Sequence, residues 1–304
     1  MVYTEIVNSI LNKYENTNAG IKANLGRILM NGKLGGTGRL LILPVDQGHE
    51  HGPDKSFMVN PEAYDPIYHY KLAIDAQLSA YAAPLGFLEA GAETYSGQIP
   101  TILKINSSNS LSTLKNQSKN GTVKEALRLG CVAVGFTIYP GSDYQYDMIE
   151  EFKEISQEAT ENGLPSVLWS YPRGSNLTKD AETSIDTIAY ATHIAALLGA
   201  HIIKVKPPTS IIAEKSLEQI YKSYNLNIES LSDRINHIKK CAFNSKRIVV
   251  FSGGNAKNTD EILEEIKEIK NGNGNGSIIG RNTFQRPRKE ALSLLEKIIN
   301  IYSN

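Results

Sequence analysis

Lys204 and Lys206 lie at the end of an apolar segment with the alternation of a β-strand. Because successive side chains of a strand point to opposite faces, Ile202, Lys204 and Lys206 share one face. In an α/β barrel that face points inward near the carboxyl end of the strand, where the active sites of such barrels are built. Burial lowers the pKa of a lysine and leaves more neutral amine to attack a carbonyl. The pattern predicts Schiff-base chemistry at Lys204; the other interpretation is a stem that crosses apolar surface and carries its ammonium to water or a carboxylate.

Polar side chains also end five other strand-like segments, on the face shared with apolar residues earlier in each segment. They are Asp46, Lys104 with Asn106, Thr137 with Tyr139, Trp169 with Tyr171 and then Arg173, and Ser252. In a parallel barrel all these ends meet at one mouth. Six strands that end in this way favour a polar site there, with Trp169 and Tyr171 as a wall of a substrate pocket.

Two glycine-containing segments form the ends of the last two predicted strands. Ser252-Gly253-Gly254 ends the seventh strand, and Gly280-Arg281 ends the eighth. Glycines let backbone amides approach an anion closely, and phosphate sites of these barrels commonly use this position. Arg281 adds a forked cation. The pair predicts a phosphate site.

The segment from Asp46 to His51 also contains His49, and these side chains could bind a metal. The other histidines fall on predicted helices or at a strand start and do not converge on this segment. Histidines spaced in this way in a loop are more often hydrogen-bonding groups, so we predict a site without a metal or another cofactor.

Eight apolar segments alternate with helical ones, typical of βα units. The predicted strands are Arg39–Gln47, Gln77–Ala83, Thr101–Asn106, Cys131–Tyr139, Pro165–Tyr171, His201–Lys206, Arg247–Gly253 and Ser277–Arg281. Amphipathic helices are predicted over Asp147–Asn162, Ala181–Leu198 and Thr259–Ile269. We expect an α/β fold, a single-domain (β/α)8 TIM barrel over residues 39–304, with an N-terminal helical extension over residues 1–38. An open doubly wound sheet is the main alternative.

Composition excludes several classes of protein. Lysine plus arginine equals aspartate plus glutamate at 32 each, so the chain has no overall basic footprint for nucleic acid or membrane. The two cysteines, Cys131 and Cys241, form no metal or disulfide pattern, which fits a reducing compartment. We find neither an apolar run that would span a bilayer nor a signal peptide. The expectation is a cytoplasmic enzyme that acts on a small molecule.

Several of these motifs together resemble the archaeal-type class I fructose-bisphosphate aldolases, which also occur in bacteria. The matching segments are Leu43–Pro53, Thr137–Ser142, Leu168–Arg173, Ile203–Lys206, Phe251–Gly254 and Ile279–Asn282. The resemblance runs in order from about Gly26 to the C-terminus. It implies a barrel that reversibly cleaves fructose 1,6-bisphosphate to dihydroxyacetone phosphate and glyceraldehyde 3-phosphate without a metal, often as a large homo-oligomer such as a decamer.

The resemblance also implies roles for individual residues. Lys204 corresponds to the Schiff-base lysine, Tyr171 to the proton donor and acceptor, and Asp46 to the acidic residue beside the reacting hydroxyl. Substrate contacts are implied for Gln47, His51, Trp169, Arg173 and Lys206, and phosphate contacts for Ser252, Gly253, Gly254, Gly280 and Arg281. From the residues alone we add Lys104, because Lys104, Arg173 and Arg281 could serve two phosphate ends. Gln47 replaces a histidine found in some archaeal members.

Two other functions fit the same pattern. One is a related Schiff-base aldolase or transaldolase, or a thiolase-like enzyme, acting on another phosphorylated ketose. The other is a non-catalytic barrel that binds a sugar phosphate, which would not need Lys204, Tyr171 and Asp46 together.

Overall fold

Eight parallel strands close into a barrel in the computed structural model, which describes residues 2–15, 17–252 and 257–304. Numbered in chain order, with the two strands of a small hairpin as β4 and β5, the barrel runs β1-β2-β3-β6-β7-β8-β9-β10. Pairing of Leu40 with Gly276 and of Ile42 with Ala80 joins β1 to the last and to the second strand, so the sheet has no edge. The (β/α)8 prediction is confirmed, and the open sheet is wrong.

The strands are β1 Leu40–Pro44, β2 Ala80–Ala83, β3 Thr101–Lys104, β4 Asn106–Ser107, β5 Ser118–Lys119, β6 Ala133–Ile138, β7 Ser166–Ser170, β8 Ile202–Val205, β9 Ile248–Phe251 and β10 Gly276–Ile278. The helices are α1 Glu5–Leu11, α2 Ala19–Met30, α3 Gln47–His51, α4 Pro53–Phe57, α5 Pro66–Asp75, α6 Leu85–Glu89, α7 Val123–Arg128, α8 Gln145–Glu161, α9 Ile185–Leu197, α10 Lys215–Ser223, α11 Leu231–Cys241, α12 Thr259–Asn271, α13 Arg281–Phe284 and α14 Arg288–Ser303, with 3-10 turns at Pro61–Tyr64 and Ala181–Thr183.

Strand alternation divides the apolar residues into two cores. Ile202 belongs to a cluster inside the barrel, whereas Ile203 and Val205 belong to the larger cluster between the barrel and its helices. Both faces of the strands are therefore buried, which explains why they are nearly continuous apolar runs in the sequence. The same division places Lys204 on the interior face, as predicted.

Helices α1 and α2 pack against the inner core. Thr4 and Asn18 cap them, because their side chains accept hydrogen bonds from the amides of Val7 and Ile21. Between the two helices, the Tyr14 hydroxyl donates to the carbonyl of His201 at 2.5 Å and accepts from the amide of Ile248 at 2.9 Å. These two residues begin the β8 and β9 region, so the extension joins neighbouring strands at the amino ends of the barrel.

The strand pairing ends earlier than the sequence predicts. Asp46, Tyr171 and Lys206 lie one or more residues beyond their strands, and Arg281 begins α13. His49, predicted in a loop, lies on α3. The polar residues predicted at strand ends thus lie on the connections that directly follow the barrel strands.

In the described part of the chain, no helix is both long and apolar enough to cross a membrane.

Candidate active site

A cavity of about 460 Å³ opens at the carboxyl ends of the barrel strands. Most of the predicted site residues line it: Asp46, Gln47, His51, Trp169, Tyr171, Arg173, Lys204, Lys206, Ser252, Gly280 and Arg281. Gly253 and Gly254, predicted to bind phosphate, lie outside the described residues. The fold therefore collects at one mouth side chains that are more than 200 residues apart in the chain.

Lys204 lies near the floor of this cavity. It pairs in register with Trp169 on β7 and with Val250 on β9, and it is only 5% exposed. Its Nζ lies 5.3 Å from the centre of the Trp169 ring and 5.6 Å from that of Tyr171. Burial lowers the pKa of Lys204 to about 8, although the negative charges of Asp46 and Glu50 oppose the change. An appreciable share of the amine is therefore neutral near pH 7.

The indole of Trp169 forms one wall beside Lys204, and a glycine makes room for it. A Cβ on Gly135, in the neighbouring strand β6, would lie 2.7 Å from Cζ3 of Trp169, much closer than van der Waals contact allows. The buried indole Nε1 has no hydrogen-bond partner among the described residues. Because a buried donor without a partner is costly, this N–H is suited to a polar group of a bound ligand.

Tyr171 and Asp46 bring a proton donor and a carboxylate to the same cavity. Burial raises the pKa of Tyr171 well above its ordinary value, and the charges of Asp46 and Glu50 add to the effect. The phenol therefore stays protonated at neutral pH and can donate. Asp46 lies between β1 and α3 and also lines a smaller cavity that shares Asp46, Trp169 and Tyr171 with the first.

Gln47 and His51 lie at the two ends of α3. The buried Oε1 of Gln47 has no partner in the described chain, so it can accept a hydrogen bond from a ligand. His51 Nε2 is 3.7 Å from Glu50. Burial lowers the pKa of His51 and so favours the neutral ring, although the charge of Glu50 opposes this change.

His49 does not line the cavity. Its Nδ1 lies 3.3 Å from the carbonyl oxygen of Ser108. Among the described residues, no group of three or more histidine, cysteine, aspartate or glutamate side chains is placed to hold a metal.

The predicted phosphate site forms one side of the cavity. Ser252 follows β9, and Arg281 begins α13 directly after Gly280. A Cβ on Gly280 would lie 2.7 Å from the carbonyl oxygen of Pro44. The glycine therefore lets the loop after β10 pass close to β1, a packing reason that stands beside the predicted contact with phosphate.

Lys104 occupies a different position from the one expected for a phosphate contact. It lines the smaller cavity, where its Nζ donates to Asn106 Oδ1 at 2.9 Å and lies 5.7 Å from the centre of the Trp169 ring. Burial lowers the pKa of Lys104 to about 8. Its ammonium thus lies outside the cavity that contains Lys204, although it is close enough to act on Lys204 through its charge.

Six charged residues among the described lining of the cavity were not predicted from the sequence: Glu50, Lys55, Lys179, Glu182, Lys257 and Glu265. Glu50 lies 3.5 Å from Arg173. It follows Asp46 by four residues, one helical turn, and this spacing would have revealed it had the helix α3 been predicted. Lys179 and Glu182 lie in the connection after β7, where no periodic pattern indicates direction.

Comparisons with known proteins agree with this geometry. A family model described as DeoC/LacD family aldolase matches residues 40–286. A relative from Chlamydia muridarum, named probable fructose-bisphosphate aldolase class 1, is 36% identical over 94% of this chain and 85% of its own length. The fructose-bisphosphate aldolase class 1 of Halobacterium salinarum is 36% identical over 86% of this chain and 90% of its own.

Among solved structures, one of an archaeal fructose-1,6-bisphosphate aldolase is similar with a TM-score of 0.75 and 30% identity, covering 97% of this chain and all of that one. In that structure the catalytic lysine is covalently bound to the carbinolamine intermediate of the substrate.

Proposed function

The chain belongs to the DeoC/LacD aldolase family and is a class I fructose-bisphosphate aldolase, and we propose that Lys204 carries its Schiff base. The observation that carries this assignment is the buried amine of Lys204, whose pKa is lowered to about 8, on the floor of a polar cavity at the barrel mouth. The reaction is the reversible cleavage of fructose 1,6-bisphosphate to dihydroxyacetone phosphate and glyceraldehyde 3-phosphate.

The first steps make an electron sink. The neutral amine of Lys204 attacks the C2 ketone and forms a carbinolamine, which loses its hydroxyl as water to give a protonated imine. A lysine with its ordinary pKa of 10.5 would present only about one neutral amine in a few thousand at pH 7. Burial raises that fraction by about two orders of magnitude.

Bond cleavage then needs one group to take a proton and another to return one. When the C4 hydroxyl loses its proton, the C3–C4 bond breaks, the aldehyde leaves, and the electron pair enters the imine to give an enamine. We propose that Asp46 removes this proton. Tyr171, which its raised pKa keeps protonated, then donates a proton to C3. Water then hydrolyses the imine and frees Lys204.

Substrate binding is divided among groups around Lys204. We propose that the Trp169 indole and the Gln47 amide form hydrogen bonds with the sugar chain, since each has a buried polar atom without a partner in the described chain. His51 adds a further contact. One phosphate lies at Ser252, the predicted Gly253-Gly254, Gly280 and Arg281, and the other at Arg173 and Lys206. Fixing both ends orients the bond to be broken.

The two alternatives differ in measurable ways. An enzyme for another phosphorylated ketose would form the imine but cleave fructose 1,6-bisphosphate poorly. A non-catalytic barrel would bind the sugar without cleaving it. A coupled assay of glyceraldehyde 3-phosphate release, with Lys204→Met as the control, tests the proposal: release by the native chain and none by the variant is expected. Substantial release by the variant would refute the assignment of the Schiff base to Lys204.

Homo-oligomeric assembly and a cytoplasmic location remain proposals. Support for assembly comes from α9, where Tyr190 is 69% and Leu197 is 64% exposed, since exposed apolar faces commonly mark protein contacts. Light scattering of the purified chain measures the assembly directly, and a monomer at assay concentrations would contradict it.

A further inference from the structure

One wall of the cavity carries charges of both signs. Its members are Glu50, Arg173, Lys179, Glu182 and Lys206. Glu182 lies 2.9 Å from Lys179 and 3.9 Å from Lys206, and Arg173 lies 3.5 Å from Glu50. With three cations and two carboxylates, the wall has a net charge of only +1, although a phosphate brings close to two negative charges.

The backbone fixes Glu182 in this wall. It lies in the 3-10 turn Ala181–Thr183, where its amide donates to the carbonyl of Thr178 at 3.0 Å. The amide and hydroxyl of Thr209, just beyond β8, both donate to the carbonyl of Thr183, at 2.8 and 3.1 Å. The side chain of Glu182 is only 8% exposed. The turn therefore holds the backbone of Glu182 at this wall, and burial restricts the movement of its carboxylate.

The two lysines are much less constrained. The side chain of Lys179 is 84% exposed, so its ammonium can move by rotation about its own stem. Lys206 lies beyond hydrogen-bond distance of Glu182, and in the described chain it donates no hydrogen bond. Because each ammonium has three donors, both can turn to a new anion while Glu182 stays in place.

We propose that Glu182 is a specificity-determining residue: it is the counterion of Lys179 and Lys206 in the empty site and yields them to the phosphate on the aldehyde half of the substrate. This rests on the proposed function, because an aldolase that takes a bisphosphate needs a second phosphate subsite. A free phosphate ion must compete with the fixed carboxylate. A phosphate tethered through the imine on Lys204 has a high effective concentration and prevails.

Two variants test whether the lysines exchange Glu182 for a phosphate: one removes the charge of Glu182, and the other removes one of the lysines. Glu182→Gln keeps the size of the side chain and removes its charge, so the lysines should hold any phosphate more strongly. We expect inhibition by inorganic phosphate to strengthen by about tenfold or more, since hydrogen bonds to charged groups are worth about 10- to 100-fold in affinity.

Lys179→Met removes one of the two exchanged cations from an exposed position, where loss of folding is not expected. Its kcat/KM for fructose 1,6-bisphosphate should fall by about tenfold relative to its kcat/KM for fructose 1-phosphate, which lacks the phosphate concerned. Lys289→Met, at an exposed lysine outside the cavity, is the matched control and should leave this ratio unchanged.

A purely structural role gives a different result. If Glu182 only holds the turn, Glu182→Gln lowers kcat/KM for both sugars together and leaves inhibition by inorganic phosphate unchanged. That outcome, or an unchanged ratio in Lys179→Met, would overturn the inference. Borohydride trapping of dihydroxyacetone phosphate on Lys204, measured in parallel, distinguishes a failure of this inference from a failure of the proposed function. An adduct with an unchanged ratio refutes this inference alone, whereas no adduct in the native chain refutes the proposed function as well.

Discussion

Replacing Lys204 with methionine should abolish turnover and yet make the protein more stable at neutral pH. The side chain is 5% exposed, and burial is the main cause of its lowered pKa. The native fold therefore holds an ammonium in a place that disfavours charge, and methionine has a similar shape without the charge. A structural lysine, stabilised by a carboxylate partner, would give the opposite change in stability.

The magnitude follows from the pKa. A fall from 10.5 to about 8 is a cost to the folded state of about 3 kcal/mol. For a chain of this length, that corresponds to an increase in Tm of about 5 °C. Asp46 and Glu50 lose a cationic neighbour in the variant. Their attraction for the ammonium opposes the lowering of the Lys204 pKa, so the cost of about 3 kcal/mol, which is taken from the net pKa, already includes this loss.

The pH dependence gives a second signature. Below about pH 8 both the folded and the unfolded native chain carry the ammonium on Lys204, so the full cost is present. Between about 8 and 10.5 the folded state loses its proton first, and the cost disappears as pH rises. The stability gain of Lys204→Met should therefore be complete at pH 7 and nearly absent at pH 10.5.

Thermal unfolding followed by circular dichroism, at one protein concentration, measures both effects. Lys289→Met, an exposed lysine, is the control and should change Tm little at either pH. If Lys204→Met is less stable than the native chain at pH 7, Lys204 is held by a favourable ion pair, and the reasoning from burial is wrong.

Further predictions concern the groups around this lysine. Tyr171→Phe should still form the imine but exchange the C3 proton of dihydroxyacetone phosphate with solvent at least about 100-fold more slowly; unchanged exchange, followed by NMR, would exclude Tyr171 as the proton donor. Gly135→Ala should push the indole of Trp169 out of place, because its Cβ would lie 2.7 Å from the ring; we expect a loss of about 1–3 kcal/mol in stability together with a lower kcat/KM, and normal values of both would contradict this packing. Burial is the main cause of the lowered Lys204 pKa and Lys104 adds to it, so Lys104→Met should move the pH midpoint of imine formation upward from about 8; an unchanged or lower midpoint would contradict this coupling. Exhaustive chelation should leave turnover unchanged, because the imine itself accepts the electrons; activity lost on chelation and restored by a metal would contradict this.

The barrel and the position of Lys204 could be predicted because both follow from local periodicity. Side chains of a strand alternate strictly, so the apolar neighbours Ile203 and Val205 decide that Lys204 faces inward. The same rule places Trp169 on the interior face of its own strand. These conclusions do not depend on the length of any loop.

The rest of the site depends on connections, whose direction the sequence pattern does not determine. Glu50 and His49 are neighbours on α3, but Glu50 lines the cavity whereas His49 reaches the carbonyl of Ser108. Glu182 lies on a turn in which Thr183 is held by Thr209, 26 positions after Thr183. Lys104 has the predicted strand and face, but its ammonium turns to Asn106 on the same segment. In each case a contact distant in sequence, or the final rotamer, decides the outcome.

The role of Lys204 is tested directly by identifying the residue that binds the substrate covalently. The protein is incubated with fructose 1,6-bisphosphate, reduced with borohydride, digested and mapped by mass spectrometry. We expect one substrate-derived adduct, on Lys204. An adduct on Lys206, or no adduct while cleavage continues, would contradict it.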